Sequence, residues 1–194
     1  PAISYPLTLP MCSPISDGAA SVVLCTDEGL RRLGLGRSRL VRLRASIVQT
    51  GVDRTADQPE DYVSARAARR AYEQAGIDPA DVHIAEVHDA TAMGELLNAE
   101  ALMLVARGES GPAAERGEFS IGGRIPINTS GGLESKGHPI GATGLGQVYE
   151  LVTQLRGEAG ARQVANARIA IQENGGGLIG IEEAVSAVNI FERV

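Results

Sequence analysis

The chain has 194 residues, enough for one domain or one and a part, with a hydrophobic core that needs no metal or disulfide staple. Apolar residues make up 43% and charged residues 22%, which excludes a disordered chain, and no apolar run approaches the ~20 residues of a membrane-spanning helix. Net charge is −6, from 24 acidic against 18 basic residues, which argues against a nucleic-acid-binding surface.

In chain order, residues 20–25 (ASVVLC) follow the turn-like Ser16-Asp17-Gly18 and read as a buried strand. Asp27 then caps a short helix that ends near Gly34, and residues 34–39 (GLGRSR) are the internal boundary. Val41, Leu43, Ala45 and Ile47 alternate with Arg42, Arg44 and Ser46, the period of a strand with one buried face. After a polar loop over 50–60, Asp61 reads as the N-cap of a helix whose core face is Ala68, Ala71, Tyr72 and Ala75, with Gly76 as its stop. A turn at Asp78-Pro79 leads to a strand over 82–87.

The next helix places Met93, Leu96, Leu97, Ala101, Leu104 and Val105 on its core face and ends at Gly108; residues 109–119 read as a polar loop. Residues 122–144 are glycine-rich and irregular, and feed a helix with core positions Leu145, Val148, Tyr149, Val152 and Leu155. A strand over 167–172, a triple glycine and a β-rich stretch to Phe191 close the chain. Strands alternating with helices define an α/β layered fold.

Glycine is abundant, 24 residues with 14 of them between Gly122 and Gly180, and aromatics are only 3%. Glycine density of this kind suits backbone that approaches a ligand or another backbone closely. Cys12 and Cys25 fit no ligand or disulfide spacing, so a reducing, cytoplasmic compartment is expected. The chain opens on Pro1 without a signal-peptide pattern and reads as a processed product or a fragment.

Several patterns have a plain reading. Residues 175–180 match GxGxxG after a strand, but the 14 residues that follow Gly180 leave no room for a dinucleotide-binding βαβ unit. His83 and His88 fall on opposite faces of a strand and make no zinc spacing with His138, so no metal site is expected. Arg66, Arg69 and Arg70 read as a solvated helix face, with a phosphate-binding site as the other reading.

The segment over 128–144, NTSGGLESKGHPIGATG, is different. Its glycines let backbone approach a ligand, its proline fixes the loop, and the helix start offers free N–H groups to an anion. His138 adds a group able to take or give a proton near neutral pH. With its surroundings this segment resembles the C-terminal half of the thiolase superfamily. Residues 12–20 (CSPISDGAA) resemble the family's last N-domain loop, residues 86–90 (EVHDA) the EVHDCF element of the sterol-carrier-protein type, residues 128–132 with 137–144 the NxxGG…GHPxGATG signature, and residues 172–180 (QENGGGLIG) the last active-site loop.

The resemblance implies two similar halves, each a five-stranded mixed sheet covered by helices, paired into dimers. Residues 1–40 would be the tail of the N-terminal domain and 41–194 the C-terminal domain. It also implies an acyl-CoA thiolase of the acetyl-CoA acyltransferase type, which cleaves or forms 3-oxoacyl-CoA. Coenzyme A and acyl-CoA would be substrates, with no permanently bound cofactor.

In that scheme His138 activates a cysteine upstream of this chain, His88 helps hold an oxyanion hole, and Gly175, Asn174 and Gly141 lie at the thioester oxygens. Cysteine is missing at both places where relatives carry a second catalytic cysteine; these positions read Ala90 and Glu173, and Glu173 is expected to shuttle the proton. A small zinc-ribbon and OB-fold partner is a further implied partner, and this chain alone is expected to be inactive. A thiolase-like aldolase acting on a side-chain acyl-CoA and a non-catalytic acyl-CoA- or lipid-binding subunit are the alternatives.

Overall fold

Two short strands, β1 (Ala2–Ser4) and β2 (Leu7–Thr8), pair antiparallel at the start of the chain, apart from the main sheet. The computed structural model describes all residues except Leu35 and Ser38, so those two positions of the 34–39 boundary lie outside the described residues. Residues 20–25 form no strand, and Val23 and Leu24 are 94% and 77% exposed. Among the described residues, the apolar run expected to be a buried strand finds neither a hydrogen-bonding neighbour nor a face that covers Val23 and Leu24. Helix α1 (Asp27–Leu33) follows; Thr26, not Asp27, is its N-cap, accepting from the Gly29 N–H, and Gly34 ends it in the left-handed conformation.

The main sheet has the order β3 (Val41–Thr50), β6 (Val185–Arg193), β5 (Ile169–Gly176), β4 (Ile84–Glu86), antiparallel except for the parallel pair β4–β5. Beyond β4 a single parallel bridge joins Ala85 to Ile127, with Ala85 N–H donating to Pro126 O and Asn128 N–H to Ala85 O. The expected layered α/β fold stands, with four strands and this one-bridge edge in place of five. β3 changes face at a bulge between Leu43 and Ala45. Val41 packs on one side of the sheet and Ala45 and Ile47 on the other, so the strict alternation read from the sequence breaks at Leu43, which is exposed.

Helix α2 (Val63–Ala75) lays Ala68, Ala71, Tyr72 and Ala75 on one face of the sheet, as its spacing predicts, and Gly76 ends it. Its N-terminus differs from the expectation. Tyr62 is the N-cap residue, and the Val63 N–H is satisfied by the distant Glu182 carboxylate rather than by Asp61. α3 (Ala92–Ala101) packs beside it but stops before Leu102, well short of Gly108, and Met93 and Leu97 are exposed rather than buried. The polar stretch after it folds into α4 (Ser110–Glu115), and α5 (Gly132–Lys136) is a single turn within the glycine-rich segment.

Helix α6 (Thr143–Arg156) covers the opposite face of the sheet with Val148, Leu151 and Leu155, packed on Ile84, Ala170 and Phe191. Truncating a buried leucine of this kind to alanine costs about 2–5 kcal/mol. Leu145 and Tyr149, expected in the core, are 39% and 63% exposed. Gln147, Glu150 and Gln154 are buried in their place, because each has partners: Gln147 donates to Glu173 O at 3.0 Å, Gln154 to Arg162 O at 2.7 Å, and Glu150 accepts from Thr129 and Arg162. Among the described residues no helix is long and apolar enough to cross a membrane.

Candidate active site

β4 runs into the EVHDA segment, and its acidic residues clamp the NTSGG loop beside it. Glu86 accepts from both the N–H and the hydroxyl of Ser130, at 3.0 and 2.6 Å; Asn128 Oδ1 accepts from the Val87 N–H at 2.8 Å; Asp89 accepts from the Leu133 N–H at 2.7 Å. Burial pushes Glu86 up to about 7 and Asp89 up to about 6, against the pull of these donors. Gly132 has to be glycine: its φ is +57°, and a β-carbon there would sit 2.0 Å from Asp89 Oδ2. These residues hold the loop. His88, between them in sequence, turns the other way.

The backbone N–H of His88 donates to Glu173 Oε2 at 3.1 Å, and its ring Nδ1–H donates to the carbonyl of Gly175 at 2.7 Å. A carbonyl can only accept, so neutral His88 carries its proton on Nδ1 and a lone pair on Nε2. His138 is held in the same way. The Thr143 hydroxyl donates its one proton to Pro139 O at 3.1 Å and therefore accepts from His138 Nδ1–H at 2.7 Å, leaving Nε2 unprotonated. The two rings meet edge-on with centroids 5.0 Å apart. Desolvation lowers the affinity of both for a proton, and in His138 the neighbouring His88 and Lys136 lower it further. The result is a pair of neutral imidazoles, each with a base at Nε2.

Both imidazoles line a mainly apolar cavity of about 1070 Å³, together with Ala90, Leu97, Asn174 and Gly175. Ser16 fixes the His138 loop by accepting from its N–H at 3.3 Å, so the CSPIS segment abuts the site although it belongs to the other end of the chain. Asn174 lies over Gly144 in the first turn of α6, and its Oδ1 is buried without a partner. Gly141 does not reach the cavity; it borders a separate depression of about 430 Å³ with Asp17 and Gly18.

Glu173 is placed differently from the sequence expectation. Its side chain is wholly buried on the α2 side of the sheet and is not part of the cavity wall. Oε1 accepts from the hydroxyls of Ser64 and Ser186, both at 2.9 Å, and Oε2 from the His88 N–H. Burial, reinforced by the charge of Glu183, raises it to about 7 against those bonds. The neighbouring hairpin brings up two acids that sequence reasoning passed over. Glu182 accepts from Val52 N–H at 2.9 Å, Val63 N–H at 3.1 Å and Arg54 Nε at 2.6 Å; burial alone would raise it, but these donors hold it below the usual carboxylate range. Glu183 faces the cavity.

The remaining candidates fall outside this cluster. The glycines over 175–180 lead into β6 rather than a helix, which removes the dinucleotide-binding pattern. His83 precedes β4 and Cys12 bridges Thr91, and neither lines the cavity. Arg66 bonds Thr50 O and Gln49; Arg69 alone of the three helix arginines borders the cavity, donating to Glu60 O.

This arrangement places two imidazoles and a glycine-rich loop at one apolar cavity, and comparison with known proteins shows the family that carries it. The profile of the family described as thiolase C-terminal domain-like matches residues 51–189. The chain is 42% identical over 194 residues to an acetyl-CoA acetyltransferase of Methanothermobacter thermautotrophicus, covering 98% of this chain and 49% of that protein. It is 44% identical over 174 residues to sterol carrier protein 2 of Oryctolagus cuniculus, covering 87% of this chain and 32% of that one. Among solved structures, the one described as Ltp2-ChsH2(DUF35) aldolase superposes with a TM-score of 0.66 at 22% identity, over 79% of this chain and 39% of its own. The chain belongs to the thiolase family and carries its C-terminal domain. It spans about a third to a half of the length of these curated relatives.

Proposed function

We propose that this chain is the C-terminal part of an acyl-CoA thiolase of the acetyl-CoA acyltransferase type, acting on 3-oxoacyl-CoA in either direction. Residues 1–40 are then the tail of its N-terminal domain, and that domain supplies the nucleophilic cysteine. The observation that carries the reading is the pair of imidazoles, each locked through Nδ1 with Nε2 toward one apolar cavity. His138 Nε2 takes the cysteine proton, and the imidazolium so formed then donates to the thioester oxygen. Neutral His88 has no proton on Nε2 to give to an oxyanion, so it acts by holding a water whose second O–H points at that oxygen. The Gly175 N–H and Asn174 border the same oxygens, donors worth about 2.7–4 kcal/mol each when placed on an oxyanion.

Glu173, with both oxygens engaged below the cavity, acts by positioning His88 rather than by shuttling a proton. The aldolase reading is the second one: among the described residues no cysteine lines the cavity, and Ala90 stands where relatives of the sterol-carrier type carry one. A homodimer, a zinc-ribbon and OB-fold partner, and a cytoplasmic location belong to this proposal; the aldolase neighbour's description names a DUF35 component, which fits such a partner.

The experiment is coenzyme A-dependent cleavage of short 3-oxoacyl-CoA esters by the full-length protein, wild type against His138→Ala. Cleavage that falls by about 100-fold or more in the variant supports the reading, in line with general acid–base contributions. No cleavage by the wild type on any chain length, with aldol cleavage of a side-chain acyl-CoA instead, moves the assignment to the second reading.

A further inference from the structure

Four carboxylates border the cavity: Glu60, Glu100, Glu182 and Glu183. Three are accounted for. Glu60 is exposed, Glu100 accepts from the N–H and hydroxyl of Ser110, and Glu182 is saturated by Arg54, Val52 and Val63. Among the described residues Glu183 has a single side-chain partner, the Tyr62 hydroxyl, which donates to Oε2. Its other oxygen lies over Gly175, 3.0 Å from where a β-carbon would be, and its Cγ is 2.6 Å from the same point. Gly175 has no positive φ, so its lack of a side chain makes room for Glu183. The same residue's carbonyl holds His88.

The backbone beneath Glu183 is fixed. Gly51 N–H donates to Ala184 O at 2.8 Å, and a β-carbon on Gly51 would meet Glu183 O at 2.7 Å. Tyr62 is fixed in turn by Arg54, whose guanidinium carbon stands 5.3 Å from its ring centroid. Desolvation and the nearby Glu173 and Glu183 charges keep the phenol protonated, so it serves as donor and leaves Oε1 of Glu183 as the free oxygen.

We propose that Glu183, oriented by Tyr62, is a further catalytic residue: the carboxyl group that moves the α-carbon proton of the bound thioester. This rests on the thiolase reading above and replaces the role first assigned to Glu173. In the cleavage direction the cysteine thiolate adds to C3 of the 3-oxoacyl-CoA and the C2–C3 bond breaks, leaving its electron pair on C2 as an enolate. The Glu183 carboxylate takes the proton of the His138 imidazolium and passes it to C2, and acetyl-CoA departs. Neutral His138 then takes the proton of coenzyme A, whose sulfur attacks the acyl-enzyme; the released cysteine thiolate regains that proton. In the condensation direction the Glu183 carboxylate removes the C2 proton.

The test separates proton transfer at carbon from acyl transfer, using the full-length protein. Deuterium entry into the methyl group of acetyl-CoA in heavy water reports the first, and the mass of the protein after mixing with a short acyl-CoA reports the second. The expected result is a fall in exchange of about 100-fold or more in Glu183→Gln, with the acyl-enzyme still formed, since that half-reaction moves no carbon-bound proton. Glu183→Asp, which keeps an acid on a shorter arm, should recover part of the exchange, and it carries the test if the glutamine variant does not fold. Exchange at the wild-type rate in Glu183→Gln overturns the proposal and leaves the thiolase reading intact. Parallel loss of exchange and acylation in folded variants also overturns it, because it marks a structural role. A wild-type protein that is neither acylated nor active in exchange removes the thiolase reading and this inference together.

Discussion

Asp89 occupies the space a side chain on Gly132 would need: its Oδ2 is 2.0 Å from the position of the missing β-carbon. One acid of the EVHDA segment thereby fixes the residue type in the NTSGG loop. Alanine at 132 would combine about 1–2 kcal/mol of left-handed strain with about 1–3 kcal/mol of overpacking. Gly132→Ala should therefore lower the melting temperature of the full-length protein clearly, whereas Gly141→Ala, where a β-carbon meets nothing within 4 Å, should leave it nearly unchanged.

Thr143 sets the proton position on His138. Thr143→Val leaves His138 Nδ1 without its partner, while Pro139 O keeps the N–H donors of Ala142 and Thr143, a loss of about 1–3 kcal/mol. Turnover should drop about 10- to 100-fold, while Thr143→Ser, which keeps the hydroxyl, should stay close to wild type. A loss in Thr143→Ser with Thr143→Val unaffected would mean that packing of the methyl group, which valine keeps, and not the hydrogen bond, matters here.

Glu173 distinguishes a positioning role from proton transfer. Glutamine can keep its oxygen on the His88 N–H and turn its amine to Ser64 and Ser186, whose hydroxyls accept as readily as they donate. Cleavage by Glu173→Gln should remain within a few-fold of wild type, and Glu173→Leu should lose it along with the His88 anchor. A proton shuttle would give a glutamine variant about 100-fold slower or worse.

Part of this was legible in the sequence. The GHPIGATG loop, the EVHDA segment and the fold class are carried by short-range patterns of glycine, histidine and alternating apolar residues. α6 was misread because Gln147, Glu150 and Gln154 point inward to a hydrogen-bond network, while Leu145 and Tyr149 point out; apolar spacing cannot register polar partners supplied by Thr129, Arg162 and β5. The strand expected over 20–25 failed for a related reason, since a strand is defined by its neighbour. Glu183 has no motif around it. Its position follows from the contact of Gly51 with the hairpin and from Tyr62, both more than 100 residues away in sequence, and only the gap at Gly175 hinted at a group that needed room.

Stability should depend on pH through Glu86. Its folded pKa, about 7, lies above the ordinary 4.5, so its neutral form is the one burial favours. Relative to a glutamine variant, the stability it contributes is complete below about pH 4.5 and is lost as pH rises through about 7. Between pH 5 and pH 8 the melting temperature of Glu86→Gln should gain on wild type by the equivalent of up to about 3 kcal/mol. His88 and His138 pull the wild-type curve the other way, because their lowered pKa values add stability as pH rises past the ordinary histidine range. The difference between variant and wild type removes that contribution. A gap that stays constant with pH would show that Glu86 is ionised throughout.

Glu182 links two parts of the cavity wall that are far apart in sequence. The loop that starts at Val52, the first turn of α2 at Val63 and the hairpin after β5 all end on that one carboxylate. Each of the three, moving alone, breaks a bond to that carboxylate, which lies buried, so this part of the cavity wall should open as a unit or stay shut. Amide hydrogens of Val52 and Val63 should then exchange with solvent at the same opening free energy, and the width of the cavity becomes a two-state property.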